Sequence, residues 1–156
     1  MLKLMTSGQK GFPMEDEKGY TLIELLAVVV ILAIIAAIAV LSMSRLIEQS
    51  KEKAFVANAH ALKSAADLFI KDKTAREEPV ASKITYLFLY NEGMIEAFSD
   101  PFTQTQLEPS TDSFVLTDGK RVTGVCLKGH EKKLCGEGAD TGLASADLAE
   151  ENIKNK

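Results

Sequence analysis

Gly19-Tyr20-Thr21-Leu22-Ile23-Glu24-Leu25-Leu26 opens an apolar run that reaches Met43. The run places one carboxylate, Glu24, near the head of a hydrophobic helix of membrane length. A buried carboxylate without a partner is costly, and in a membrane helix it marks a functional site. Its partner must be a cation at the same depth, yet no Lys or Arg lies between Tyr20 and Ser44. A new amino terminus, made by cutting the chain after Gly19, would supply that cation. A secretory signal peptide has a shorter apolar core followed by a small-residue cleavage site. This run is longer, and Leu41-Ser42-Met43-Ser44 is a poor site of that kind. A plain signal anchor would account for the hydrophobicity but not for Gly19, Glu24 and their spacing.

Lys18-Gly19 followed by Tyr-Thr-Leu-Ile-Glu-Leu-Leu and a long apolar stretch resembles the type III signal of type IV pilins and pseudopilins, G-[F/Y]-T-L-[IV]-E. The tight likeness covers Lys18 to about Val40. The resemblance implies cleavage between Gly19 and Tyr20 by a prepilin peptidase and N-methylation of Tyr20. It implies that Glu24 neutralises the terminal amine of a neighbouring subunit in a helical homo-oligomeric filament. It also implies membrane lipid around the precursor, and an assembly platform with its ATPase as partners. The precursor would sit in the cell membrane with its head outside, and the mature chain in a surface filament. Two departures stand out. Tyr20 occupies a position where Phe is commoner, and Ala36-Ala37-Ile38-Ala39-Val40-Leu41 lacks the helix-kinking proline of many members.

The organisation expected is a leader over 1–19, a transmembrane and filament-core helix over 20–44, a head over 45–136 and a flexible tail over 137–156. Residues 45–156 suffice for one small domain and not two. The fold class expected is α+β, the type IV pilin fold: a long helix packed on a small antiparallel sheet. No proline or glycine occurs from Tyr20 to Lys73, so one helix spans this stretch. Its first half is apolar all round, and Ala33, Ala36, Ala37 and Ala39 permit close helix approach. Beyond Arg45, Phe55, Ala59, Leu62, Ala66, Phe69 and Ile70 recur at helical spacing as a core stripe. Lys51, Glu52, Asn58, Lys63 and Asp67 fall mostly elsewhere.

The helix is expected to fade over 74–78, with Pro79 as its stop. A second helix is expected from Ser82, as its cap, to about Asn91 and Gly93, although Ile84–Tyr90 is also rich in strand formers. Asp100-Pro101-Phe102-Thr103 reads as a turn. Together with the preceding short helix it is similar to the heads of many Gram-positive pilins and secretion pseudopilins. Strands are expected over 113–117 and 121–127 about an Asp118-Gly119 turn, with a third near Leu134-Cys135. A weak helix over 145–153 is the most order expected of the tail.

Cys126 and Cys135 flank His130. An extracytoplasmic head makes a disulfide the simple reading, and pilin heads often carry such a cystine loop. Free thiols, or a metal site with His130 as third ligand, are the other readings. Lys120, Arg121, Lys128, Lys132 and Lys133 stand against Glu131 alone, while the tail from Glu137 is acidic. This basic cluster is a solvated hairpin paired with its tail, or a contact surface for DNA or an acidic partner. No aromatic interleaves the lysines, so base stacking has no support. The net charge of −4 argues against general nucleic-acid affinity. His60, in mid-helix, reads as a surface or satisfied residue. There is no nucleophile–base pair, glycine-rich phosphate loop or metal-spaced carboxylate set. The expectation is therefore a non-enzyme without cofactor or resident metal.

Overall fold

In the computed structural model the backbone is described for residues 17–138 and 140–156, and side-chain surroundings from Thr21 onward except at 41 and 42. The leader's first sixteen residues thus lie outside the described set. The chain divides into two compact units, Met1–Ser44 and Arg45–Lys156. Helix α1 runs over Glu17–Ala75. It ends as the sequence expects, with an unexpected residue in the cap. The Glu77 N–H donates to Thr74 O and the Glu78 N–H to Lys73 O, at 3.1 and 2.9 Å. Glu77 takes the left-handed conformation (φ 57°) that glycine usually supplies at this position.

The head is α+β. Strand β1 (Lys83–Thr85) leads into helix α2 (Tyr86–Asn91). Strands β2 (Phe98–Ser99) and β3 (Gln106–Leu107) form a small antiparallel hairpin of their own. The remaining strands are β4 (Phe114–Thr117), β5 (Val122–Lys128), β6 (Lys132–Leu134) and β7 (Lys154–Asn155). With β1 they build one antiparallel sheet in the order β1-β4-β5-β6-β7. The expected α1 stripe, Phe55 to Ile70, is buried without exception. It packs with a sheet face on which Ile84, Val115 and Val125 stand in register across three strands and Leu127 opposes Leu134.

Three of the polar helix residues also reach across. Asn58 Nδ2 donates to Ser99 O at 3.0 Å, Lys51 Nζ to Phe102 O at 3.5 Å, and Asp67 Oδ1 accepts from the Val122 N–H at 3.4 Å. They fasten the β2–β3 hairpin and the head of β5 to α1.

The single helix expected over 82–91 is two elements. Residues 83–85 pair with β4 because Ile84 and Thr85 are β-branched and β4 needs a partner on that side. The cap is therefore Thr85, whose Oγ1 accepts from the Phe88 N–H at 3.2 Å, and not Ser82. Gly93 (φ 70°) closes α2, with the Met94 N–H donating to Leu89 O. In the β4–β5 hairpin Asp118 Oδ1 accepts from the N–H groups of Lys120 and Arg121, both at 2.9 Å. The turn therefore extends through 121, and the strand opens at Val122.

The segment after 136 is built into the head, contrary to the flexible tail expected. Val125 and Leu143 exchange both backbone hydrogen bonds at 2.8 Å. This approach requires glycine, since a Cβ on Gly142 would lie 2.7 Å from the Gly124 carbonyl carbon. Leu148 is 6% exposed in the core, and β7 pairs with β6. In place of a helix over 145–153 there are two 3-10 turns, Ser145–Asp147 and Glu150–Asn152.

Tyr86 is the largest fully buried side chain among the described residues. Its ring stacks on Phe98 with centroids 4.9 Å apart, and its Oη accepts from the Phe98 N–H at 2.8 Å. Burial pushes the phenol above its ordinary pKa despite that hydrogen bond. Tyr86→Phe orphans the buried N–H of Phe98. The full-length chain in detergent should lose about 1–3 kcal/mol in a denaturant titration; an unchanged midpoint would show that this hydrogen bond does not hold the hairpin.

Candidate functional site: the signal helix and the cystine loop

Gly19 and Tyr20 lie within α1. From Thr21 to Val40 every residue is exposed. Leu22 is 71% exposed, and Leu25, Leu26, Ile31, Ile34, Ile35 and Ile38 are each more than half exposed. Such a surface far exceeds the apolar patch that a chain in water leaves uncovered. By length and composition α1 qualifies as one membrane-crossing helix among the described residues.

Glu24 is exposed on this surface, and among the described residues it makes no ion pair. Near the end of the apolar stretch Ser44 Oγ donates to Val40 O at 3.4 Å, a back-bond within the helix.

The cysteines are joined. Cys126 and Cys135 form a disulfide with Cα atoms 4.2 Å apart. It lies on the sheet face away from α1, where it clusters with Phe114 and Leu116. The metal reading is therefore overturned: both thiols are consumed, and His130 is engaged elsewhere. Among the described residues no group of three His, Cys, Asp or Glu side chains is placed to hold a metal.

His130 belongs to a clamp centred on Asp100, which is fully buried. Asp100 Oδ1 accepts from the Phe102 N–H at 2.9 Å, closing the turn after β2. Its Oδ2 accepts from the His130 N–H at 2.8 Å and lies 3.2 Å from His130 Nδ1. The cystine loop is thereby pinned to the β2–β3 hairpin. Gly129 is needed for the approach, because a Cβ there would meet Asp100 Oδ2 at 2.8 Å and the Phe55 ring at 2.9 Å. The sequence marks Asp100 as a turn former; its bond to a loop thirty residues on carries no local signal. His60 is exposed, as expected.

Residues 14–40 match the family described as the prokaryotic N-terminal methylation motif. This N-terminal segment is a type IV prepilin-like signal. The match spans Gly19, Tyr20, Glu24 and the apolar stretch, and so covers the signal and not the head. No curated protein and no solved structure matches the chain. For the head the fold therefore rests on its own structure: a long helix, a small antiparallel sheet and a cystine loop.

Burial tends to raise the pKa of Asp100, but the N–H groups of His130, Phe102 and Thr103 and the His130 ring outweigh it, so the carboxyl titrates below its ordinary value. A lowered folded-state pKa stabilises the fold in full above the unfolded value of about 3.9. That contribution fades as pH falls through the folded value. Asp100→Asn should cost about 1–3 kcal/mol at neutral pH and flatten the loss of stability below pH of about 4. An unaltered acid limb in thermal melts would remove Asp100 as the clamp.

Proposed function

We propose that this chain is the structural subunit of a type IV pilus or a related filament. It enters the membrane as a precursor with the leader in the cytoplasm and the disulfide-bonded head outside. A prepilin peptidase cuts between Gly19 and Tyr20, and Tyr20 is N-methylated. The subunits then leave the bilayer and pack residues 20–43 into a filament core, driven by an assembly platform and its ATPase. The observation that carries this reading is the spacing of Gly19 and Glu24 at the head of a helix exposed and apolar on all faces. Lipid and a bundle of like helices are the two environments that such a surface tolerates.

Cleavage changes the charge at the head of the helix. It places an ammonium group on Tyr20, at the positive end of the helix dipole, where a cation is unfavourable. Glu24, one turn along, is the group that offsets it. In a bundle that excludes water an unpaired carboxylate and an unpaired ammonium are each costly, and both costs fall when they meet. Pairing Glu24 of one subunit with the Tyr20 amine of the next would also set the axial register. The same chemistry serves a major pilin, a minor pilin or a pseudopilin of a secretion or DNA-uptake system, and abundance in sheared filaments separates these roles. A membrane-anchored protein that never polymerises is the contrasting reading, marked by an uncut N-terminus and a monomeric state. In the filament reading the chain has no catalytic role, cofactor or resident metal.

Gly19→Leu should accumulate as uncut precursor on immunoblots; normal processing of that variant contradicts the proposed site. Glu24→Ala should insert and be processed normally but yield at least tenfold fewer filaments, the equivalent of about 1.4 kcal/mol or more. Full assembly by Glu24→Ala would end the pairing account.

A further inference from the structure

The sheet register creates a charge row on the face away from α1. Lys128 on β5 stands opposite Lys133 on β6, and Lys133 stands opposite Lys154 on β7. Directly opposed residues of antiparallel strands project to one side, so these lysines form a ladder about 10 Å long across three strands. Like charges directly opposite one another destabilise a sheet. The acidic tail offsets this arrangement only at its margins. Glu137 meets Lys154 at 3.3 Å in an exposed pair. Asp140 meets Lys83 at 2.6 Å and lies in the field of Lys128. Among the described residues no acid makes an ion pair with Lys128 or Lys133. Glu108 and Asp112 line a cleft with Lys128 and Lys156; Lys128 and Lys133 are half-exposed and Lys154 is exposed.

The surroundings define what fits. The head's large exposed apolar residues are Leu46, Ile47, Leu68, Phe88 and Tyr90, on α1 and α2, and none borders this row. A protein partner that buries a stable interface needs an apolar centre, which is missing here. Lysine ammonium groups act as point charges suited to phosphate, and the row contains no arginine fork. Phe114, an aromatic ring on this face, is buried beneath Lys83 Nζ, 4.1 Å from its centroid, and so offers no platform for a base.

We propose that the Lys128–Lys133–Lys154 row is a contact surface for the phosphodiester backbone of duplex DNA, without sequence preference. The row neutralises phosphates and leaves the bases untouched, so duplex is favoured over single strand. A single head binds weakly, on the order of 10⁻⁴–10⁻⁶ M, and any repeated array of heads multiplies that affinity through effective concentration. The surface is independent of filament assembly, and so is its test.

The experiment is fluorescence anisotropy of a short labelled duplex with the full-length chain in neutral-detergent micelles. Contact with three phosphates predicts a slope of log affinity against log salt of about −2.7, which is roughly a forty-fold loss between about 50 and 200 mM salt. K128Q/K133Q/K154Q should weaken binding at least tenfold and flatten that slope. The charge-matched K53Q/K71Q/K120Q, at exposed positions off the row, should bind as the unaltered chain does. K128R/K133R/K154R should retain binding, which separates lost charge from lost fold. Relief of repulsion should leave the glutamine variant at least as heat-stable as the parent. Binding by K128Q/K133Q/K154Q equal to the parent, equal loss in K53Q/K71Q/K120Q, failure of the arginine variant, or tighter binding of single strands or of polyglutamate would each overturn the proposal.

Discussion

A helix with no polar face can never be left in water, and that constraint governs the whole chain. Every residue from Thr21 to Val40 is exposed on α1, so this surface has to be covered, and in the proposed filament subunit lipid would cover it first and sister helices afterwards. Glu24 makes the requirement chemical as well as geometric. A carboxylate on that surface is tolerable near the edge of a membrane and costly in a dry bundle unless a cation arrives with it. Cleavage after Gly19 would create that cation one helical turn away. In the proposed filament the cut would thus do more than release a leader: it would convert a group that resists assembly into one that specifies it.

The head solves a different problem with the later part of the same helix. From Phe55 to Ile70 the apolar residues narrow to a stripe, and the sheet row of Ile84, Val115 and Val125 closes over it. The sheet is short-stranded, and its stability depends on local fastenings. Asp100 ties the cystine loop to the β2–β3 hairpin, Tyr86 holds the Phe98 backbone, and the disulfide anchors the opposite face. A domain of this size gains from each such tie because its core alone buries limited surface. The segment after 136 adds a further layer by pairing with β5 and β6.

Legibility in the sequence followed the range of the interaction. The signal and the core stripe could be read because each is written within one helix, at spacings that the 3.6-residue turn imposes. The β4–β5 hairpin was legible from Asp118-Gly119 between β-rich runs. The split of 83–91 was not, because Ile84 to Tyr90 satisfies both periodicities and the presence of β4 alongside decides between them. The order after 136 was hidden for a related reason: its bonds are backbone pairs made possible by Gly124 and Gly142, and a composition rich in Gly, Ala and acids reads as loose chain. The Asp100–His130 clamp and the Lys128–Lys133–Lys154 row arise from register and loop placement, which no local pattern encodes.

The most direct test is the intact mass of the mature chain, purified without reduction from its native cells. A polypeptide beginning at Tyr20, about 14 Da heavier for one methyl group and about 2 Da lighter for one disulfide, is the predicted result. It would join processing, methylation and an oxidising compartment in one number. A chain that still begins at Met1 in cells equipped with a prepilin peptidase would contradict the account and reduce α1 to a plain membrane anchor.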